Sequence, residues 1–130
     1  MSKIPDDLKY SKEHEWVRIA GAQVTIGITD YAQQQLGDIV FVELPKVGAQ
    51  FNQGAVMGMI ESVKAAAELC APIGGKITAI NEAVHDEPEL VNEDPYSDGW
   101  LVQLQVTNTP QLKDLLSAAQ YDEYISGEKD

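Results

Sequence analysis

Val24, Ile26 and Ile28 alternate with Gln23, Thr25 and Gly27, a period of two that predicts a strand with one buried face. Residues 15–19 precede it across a turn at Gly21, so the pair reads as a hairpin. The clearest alternation comes late, where Val102, Leu104 and Val106 are spaced by Gln103 and Gln105. Residues 40–44 and 76–80 have the same strand character, and Pro45 ends the first of these. Residues 1–13 are polar and read as an extended lead-in, while 47–53 are turn-rich. The long acidic run 81–98 holds Pro88 and Pro95 and predicts a loop with one short element, closed by a turn at Ser97-Asp98-Gly99.

The period changes in two places. Thr29 is a candidate N-cap for a short helix over 30–36, with Asp30 at the positive end of its dipole and Gly37 as its stop. Near the C-terminus, Thr109 reads as an N-cap with Pro110 in the first helical position and an apolar stripe of Leu112, Leu115 and Leu116. Ser117 and Gln120 form a possible capping box for a further helix carrying Tyr121, Tyr124 and Ile125 on one face. Six or seven short strands with helices at the edges predict a mainly β fold, a small sandwich or barrel. Residues 1–130 read as a single domain, with a helical segment over about 109–126.

One stretch is ambiguous. By propensity, residues 61–69 form a helix, since Glu, Lys, Leu and a triple Ala are strong helix formers. By context they form a β-hairpin tip, entered by an alternating run and closed by Pro72 and Gly74-Gly75. The stretch carries one lysine, Lys64, between Val63 and Ala65.

A hydrophobic fraction of 44% supplies a core without disulfides. The net charge of −12, with no offsetting basic cluster, opposes nucleic-acid binding and favours partners with basic surfaces. The lone Cys70 fits a reducing compartment, and no apolar run reaches the roughly 20 residues needed to span a bilayer. The start lacks the marks of a leader peptide, so the chain reads as bacterial and cytoplasmic, or as a mature form.

A catalytic lysine needs burial or a neighbouring cation to lower its pKa, whereas the charges nearest Lys64 in sequence are Glu61 and Glu68. Lys64 therefore suits attachment better than nucleophilic catalysis. Neither His14, beside Glu13 and Glu15, nor His85, beside Asp86 and Glu87, has zinc-site spacing, and both read as surface or loop residues. Trp16 and Trp100 read as core anchors.

Glu61-Ser62-Val63-Lys64-Ala65, preceded by Gly54 and followed by Gly74-Gly75, resembles the lipoyl-lysine motif of the glycine cleavage system H protein family. So do Glu13-His14-Glu15-Trp16-Val17, Gly27-Ile28-Thr29-Asp30-Tyr31-Ala32, the run from Leu36 to Pro45, and Asp94-Pro95-Tyr96-Ser97-Asp98-Gly99-Trp100-Leu101. Biotin carriers flank their lysine with methionine, where this chain has Val63 and Ala65.

The resemblance implies a barrel-sandwich hybrid of two antiparallel sheets with short peripheral helices, and it resolves residues 61–69 as a hairpin with Lys64 at the tip. It implies lipoic acid bound covalently to Lys64 and a carrier without catalysis of its own. The arm would take a methylamine group from a pyridoxal-phosphate glycine decarboxylase to a tetrahydrofolate-dependent aminomethyltransferase, then be reoxidised by dihydrolipoyl dehydrogenase. Glu15 and Glu68 match family positions that protect the loaded arm, and Glu61 and Gly75 match positions recognised by the lipoyl transferase or lipoate ligase. For Gly75 a simple turn glycine is the alternative. With the redox sulfurs on lipoate, Cys70 becomes a small packed residue. The chain reads as a monomer that meets neither nucleic acid, because of its charge, nor membrane, for want of a long apolar run. The rival readings are a lipoyl relay for other enzymes, a small acid/base enzyme built on Glu13-His14-Glu15 and His85-Asp86-Glu87, and an unmodified acidic binding module.

Overall fold

The computed structural model describes residues 3–107 and 109–128. Strands β2 (Glu15–Ala20) and β3 (Gln23–Ile28) form the expected hairpin, with Val17 opposite Ile26 and Gly21 at the turn with φ 67°. They belong to a six-stranded antiparallel sheet ordered β1-β2-β3-β9-β8-β5, in which β1 is Lys9–Tyr10, β5 Gln50–Phe51, β8 Gly75–Ile80 and β9 Val102–Val106. A second antiparallel sheet is ordered β4-β6-β7: Ile39–Glu43, Val56–Ser62 and Ala66–Cys70. The fold is a sandwich, as expected, and its sheets stay open instead of closing into a barrel.

Each alternating run turns its apolar positions inward. Val17, Val24, Ile26, Ile28 and Leu104 of the large sheet meet Val42, Ile60 and Leu69 of the small one in one buried core. A second cluster lies on the other face of β2, where Trp16 packs with Leu8, Tyr10, Tyr31, Tyr96 and Tyr121. The Trp16 indole N–H donates to the Pro95 carbonyl at 2.8 Å. Both tryptophans are core-associated: Trp16 is fully buried and Trp100 packs at the edge of the second cluster. Because side chains on a strand alternate faces, Glu15 shares the core-facing side with Val17. It is a carboxyl on an apolar face.

Helix α1 (Asp30–Leu36) begins as expected, with Thr29 Oγ1 accepting from the Ala32 amide at 3.2 Å, and ends at Gly37. Three predictions need correction. Residues 81–98 hold two helices in place of one element: α2 (Glu82–Asp86), capped by Asn81, and α3 (Glu89–Glu93), which starts after Pro88. Pro88 marks the start of α3, while Pro95 lies in the turn that follows it. Strands β1 and β5 fall where only lead-in and turn were expected, because two-residue strands carry no readable period. Thr109–Asp114 is a 3-10 helix, not an α-helix, and Leu116 leaves its stripe to exchange both backbone hydrogen bonds with Tyr10 at 2.9 and 2.7 Å. His14 lies in the loop between β1 and β2, within the surface-or-loop reading, but is half-buried among Tyr31, Tyr121 and Tyr124 and not on the open surface.

The Ser117/Gln120 capping box is formed, at 2.9 and 3.2 Å, and opens α4 (Ala118–Glu128). Tyr121 of that helix stacks on Tyr10 with ring centroids 4.8 Å apart, which seals the second cluster.

Candidate functional site

Residues 61–69 are hairpin, not helix. Ile60 stands opposite Ala67 and Glu61 opposite Ala66 across β6 and β7, and Ile60 and Leu69 both reach the core. Burying those two side chains on one face overrides the helix propensity of the alanines, since tertiary packing outweighs so weak a local preference.

The tip lacks the Asn-Gly of a usual tight hairpin turn, and Ser62 substitutes for it. Its hydroxyl oxygen accepts from the Ala65 amide at 3.0 Å and the Lys64 amide at 3.3 Å, while the Ser62 amide donates to the Ala65 carbonyl at 2.8 Å. A serine bonding its own turn in this way supplies the closure that glycine geometry supplies elsewhere. Val63, 68% exposed, donates its amide to the Asp38 carbonyl at 3.0 Å, so the tip is fastened to the loop between α1 and β4. Lys64 itself is exposed, and its Cε lies over Gly37, close enough that a Cβ there would sit 3.5 Å away.

A cleft of about 270 Å³ runs between this hairpin and α1. Ile28, Leu36, Ile60 and Ala67 make its apolar wall, and Glu13, Glu15 and Glu68 its carboxylates. The structure thus brings Glu15 and Glu68 to one cavity. The two differ in setting: Glu68 is exposed on β7, while Glu15 is only 1% exposed. Glu15 Oε1 accepts from the Ser11 hydroxyl at 2.6 Å and Oε2 from the Cys70 amide at 3.2 Å. Burial pushes the Glu15 carboxyl up to about 8, the Ser11 and Cys70 hydrogen bonds pull it back, and the charge of Glu13 adds to the rise. Burial and then the charge of Glu15 also raise the Cys70 thiol above its ordinary value.

The other two singled-out residues lie elsewhere. Glu61 is exposed on β6, opposite Phe41 of β4 as well as Ala66. Gly75 opens β8 in the large sheet, buried between Phe51 and Val106. A Cβ on Gly75 would run into the Gln105 carbonyl and the Leu104 side chain, so close packing alone explains the glycine.

Several site-forming residues gave no signal in the sequence. Ser11 sits in the apparent lead-in, yet its hydroxyl oxygen holds Glu15 and also accepts from the Glu13 and Glu15 amides at 3.2 Å. His14, at φ 69°, bonds the Tyr121 hydroxyl through Nδ1 at 2.9 Å, and that hydroxyl also meets Thr29 Oγ1 at 2.7 Å. Helix α4 is thereby joined both to the cleft wall and to the cap of α1. His85 is exposed on α2, its ring tilted 66° to that of Phe41 with centroids 6.1 Å apart. Among the described residues, no group of three or more His, Cys, Asp or Glu is arranged to hold a metal ion, and no helix is long and apolar enough to cross a membrane.

The family model described as Glycine cleavage H-protein matches residues 8–128. The chain belongs to the glycine cleavage H-protein family. A Glycine cleavage system H protein of Staphylococcus haemolyticus is 56% identical over 122 residues, spanning 94% of this chain and 97% of its own. One of Herpetosiphon aurantiacus is 56% identical over 128 residues, 98% of each. The crystal structure of a glycine cleavage system H protein from Mycobacterium marinum superposes with a TM-score of 0.84 at 39% identity, covering 98% of this chain and all of that one. H proteins are lipoyl carriers, and this family member is a carrier component of the glycine cleavage system, not a catalyst.

Proposed function

We propose that lipoate is joined by an amide bond to the Lys64 side-chain nitrogen and that this chain is the mobile carrier serving the three enzymes of glycine cleavage. The observation that carries the proposal is Lys64, exposed at a fastened hairpin tip beside a cleft that combines an apolar wall with carboxylates. Such a cleft suits a hydrocarbon arm ending in a cationic cargo. Amide formation removes the lysine charge, leaving a neutral tether beside Gly37.

Attached to Lys64, lipoate would supply a disulfide/dithiol pair able to carry an aminomethyl group between the enzymes of the system. Everything else falls to the chain. Ile28, Leu36 and Ile60 exclude water from the cleft. Glu68 offers a charge at its mouth, and Glu15 holds a proton in the empty cleft at neutral pH. A cationic amine beside Glu15 favours release of that proton and a charge-assisted hydrogen bond to the carboxylate. Glu61, exposed on β6, serves recognition by the lipoyl transferase or lipoate ligase, whereas Gly75 serves packing. Residues 1–130 act as one carrier domain, in monomeric form and in a bacterial cytoplasm; the source of the relatives supports only the bacterial part of this reading.

Reconstitution tests this reading. Glycine decarboxylase, aminomethyltransferase, dihydrolipoyl dehydrogenase and tetrahydrofolate, with NAD⁺ as the electron acceptor, should cleave glycine only when this protein is added in lipoylated form. The variant Lys64→Arg should not support turnover. Full turnover with that variant would refute the assignment, and support of other lipoate-dependent enzymes alone would favour a relay.

A further inference from the structure

Asn92, on α3, belongs to none of the motifs above, yet every polar atom of its side chain is engaged around one short loop. Its Oδ1 accepts from the Ile39 amide at 2.8 Å. Its Nδ2 donates to the Gly37 carbonyl at 2.8 Å and to Gln33 Oε1 at 2.9 Å. An acceptor must face the Ile39 amide and a donor the Gly37 carbonyl, so the orientation of the amide is fixed by its surroundings. Asn92 therefore binds both neighbours of Asp38. The Asp38 carbonyl in turn accepts from Val63, the residue before Lys64, and the Lys64 side chain lies over Gly37.

We infer that Asn92 is a positioning residue for Lys64, acting from α3 through the Gly37–Asp38–Ile39 loop. Gly37 has φ 78° and carries no side chain, so this loop has little intrinsic stiffness. Asn92 holds the peptide groups on either side of Asp38 and so aims the Asp38 carbonyl at the Val63 amide. Inside the turn, the Ser62 bonds fix the local shape of the tip, but they do not fix its place against the rest of the protein. The fastening through Asp38, which continues the pairing of Ile39 with Ser62 between β4 and β6, does. The chemical purpose rests on the assignment of Lys64 as the attachment site: an acylating enzyme meets a tip already in place and need not order it on binding.

Amide hydrogen exchange on the unmodified protein tests the coupling without lipoate. In the wild type, the Val63 and Ile39 amides should exchange through one opening, with protection equal within a few fold, since linked groups open as a unit. In Asn92→Asp, which keeps the acceptor and loses the donor, Val63 protection should fall roughly tenfold while Leu104 and Val24 in the core keep theirs. With a lipoate ligase, lipoate and ATP, which yield the lipoyl amide, AMP and pyrophosphate, the same variant should show KM raised several fold at unchanged kcat, as a smaller tip-ready population requires. Unchanged Val63 protection would overturn the inference. So would a uniform loss of protection across the core, which would make Asn92 structural only, or wild-type Val63 exchanging far faster than Ile39. Failure of the wild type to be lipoylated at all would strike the functional assignment instead, leaving the exchange result to stand or fall separately.

Discussion

Replacing Glu15 with glutamine perturbs the cleft with the least change of shape. Glu15 is all but inaccessible, and its carboxyl is raised from the ordinary 4.5 to about 8, chiefly by burial. The raised value belongs to the folded state. Its contribution to stability is therefore fully present below about pH 4.5, where both states hold the proton, and is lost as pH rises through about 8. At about 1.4 kcal/mol for each pH decade, that loss totals roughly 5 kcal/mol, of which about 3 kcal/mol has gone by pH 7. Glutamine has no proton to lose. Its oxygen can accept from the Cys70 amide, but its NH₂ then meets a Ser11 oxygen that already accepts from the Glu13 and Glu15 amides, so the Ser11 contact is lost. Glu15→Gln should fall about 1 kcal/mol below the wild type near pH 4.5, through the lost Ser11 bond, and exceed it by about 2 kcal/mol at pH 7, while losing the carboxylate proposed to hold a cationic cargo. Urea unfolding of both proteins across that pH interval measures the difference directly. Parallel stability curves would refute the reasoning, because they would mean that Glu15 ionises as readily in the folded cleft as in the unfolded chain.

Two further substitutions separate packing from recognition. Gly75→Ala should cost about 1–3 kcal/mol through the clash with the Gln105 carbonyl and Leu104, read as a lowered Tm, and lipoylation of the folded fraction should be normal. A fully stable Gly75→Ala protein that resists lipoylation would assign the glycine to recognition instead. Tyr121→Phe removes the hydroxyl shared by His14 and Thr29 and should cost about 1–2 kcal/mol in urea unfolding. An unchanged midpoint would show that this bridge from α4 to the cleft adds nothing to stability.

Much of the sandwich is visible in the chain itself. The alternating runs at 23–28 and 102–106 place their apolar residues in the core, and Thr29 and the Ser117/Gln120 pair cap the helices they were expected to cap. These are local signals, carried by periods and by residues three apart. The hairpin at Lys64 is different, because Ala-rich composition favours helix there and only pairing with β4 and burial of Ile60 and Leu69 decide otherwise. Family resemblance supplied that choice; periodicity did not. Contacts distant in sequence left no local trace. Ser11 looks like lead-in, His14 like a surface or loop residue, and Asn92 like one polar residue in an acidic loop, yet each is defined by what folding brings to it. The burial of Glu15 could be read only once β2 was known to turn Val17, and hence Glu15, toward the core.

The central assignment is lipoate on Lys64, and intact-protein mass spectrometry followed by peptide mapping reads it most directly. Protein made in a lipoate-competent cell should gain the mass of one lipoyl group, mapped to the peptide holding Lys64, and Lys64→Arg should gain none. Unmodified wild-type protein from a cell with active lipoylation, or a lipoyl group mapped to another lysine, would contradict it.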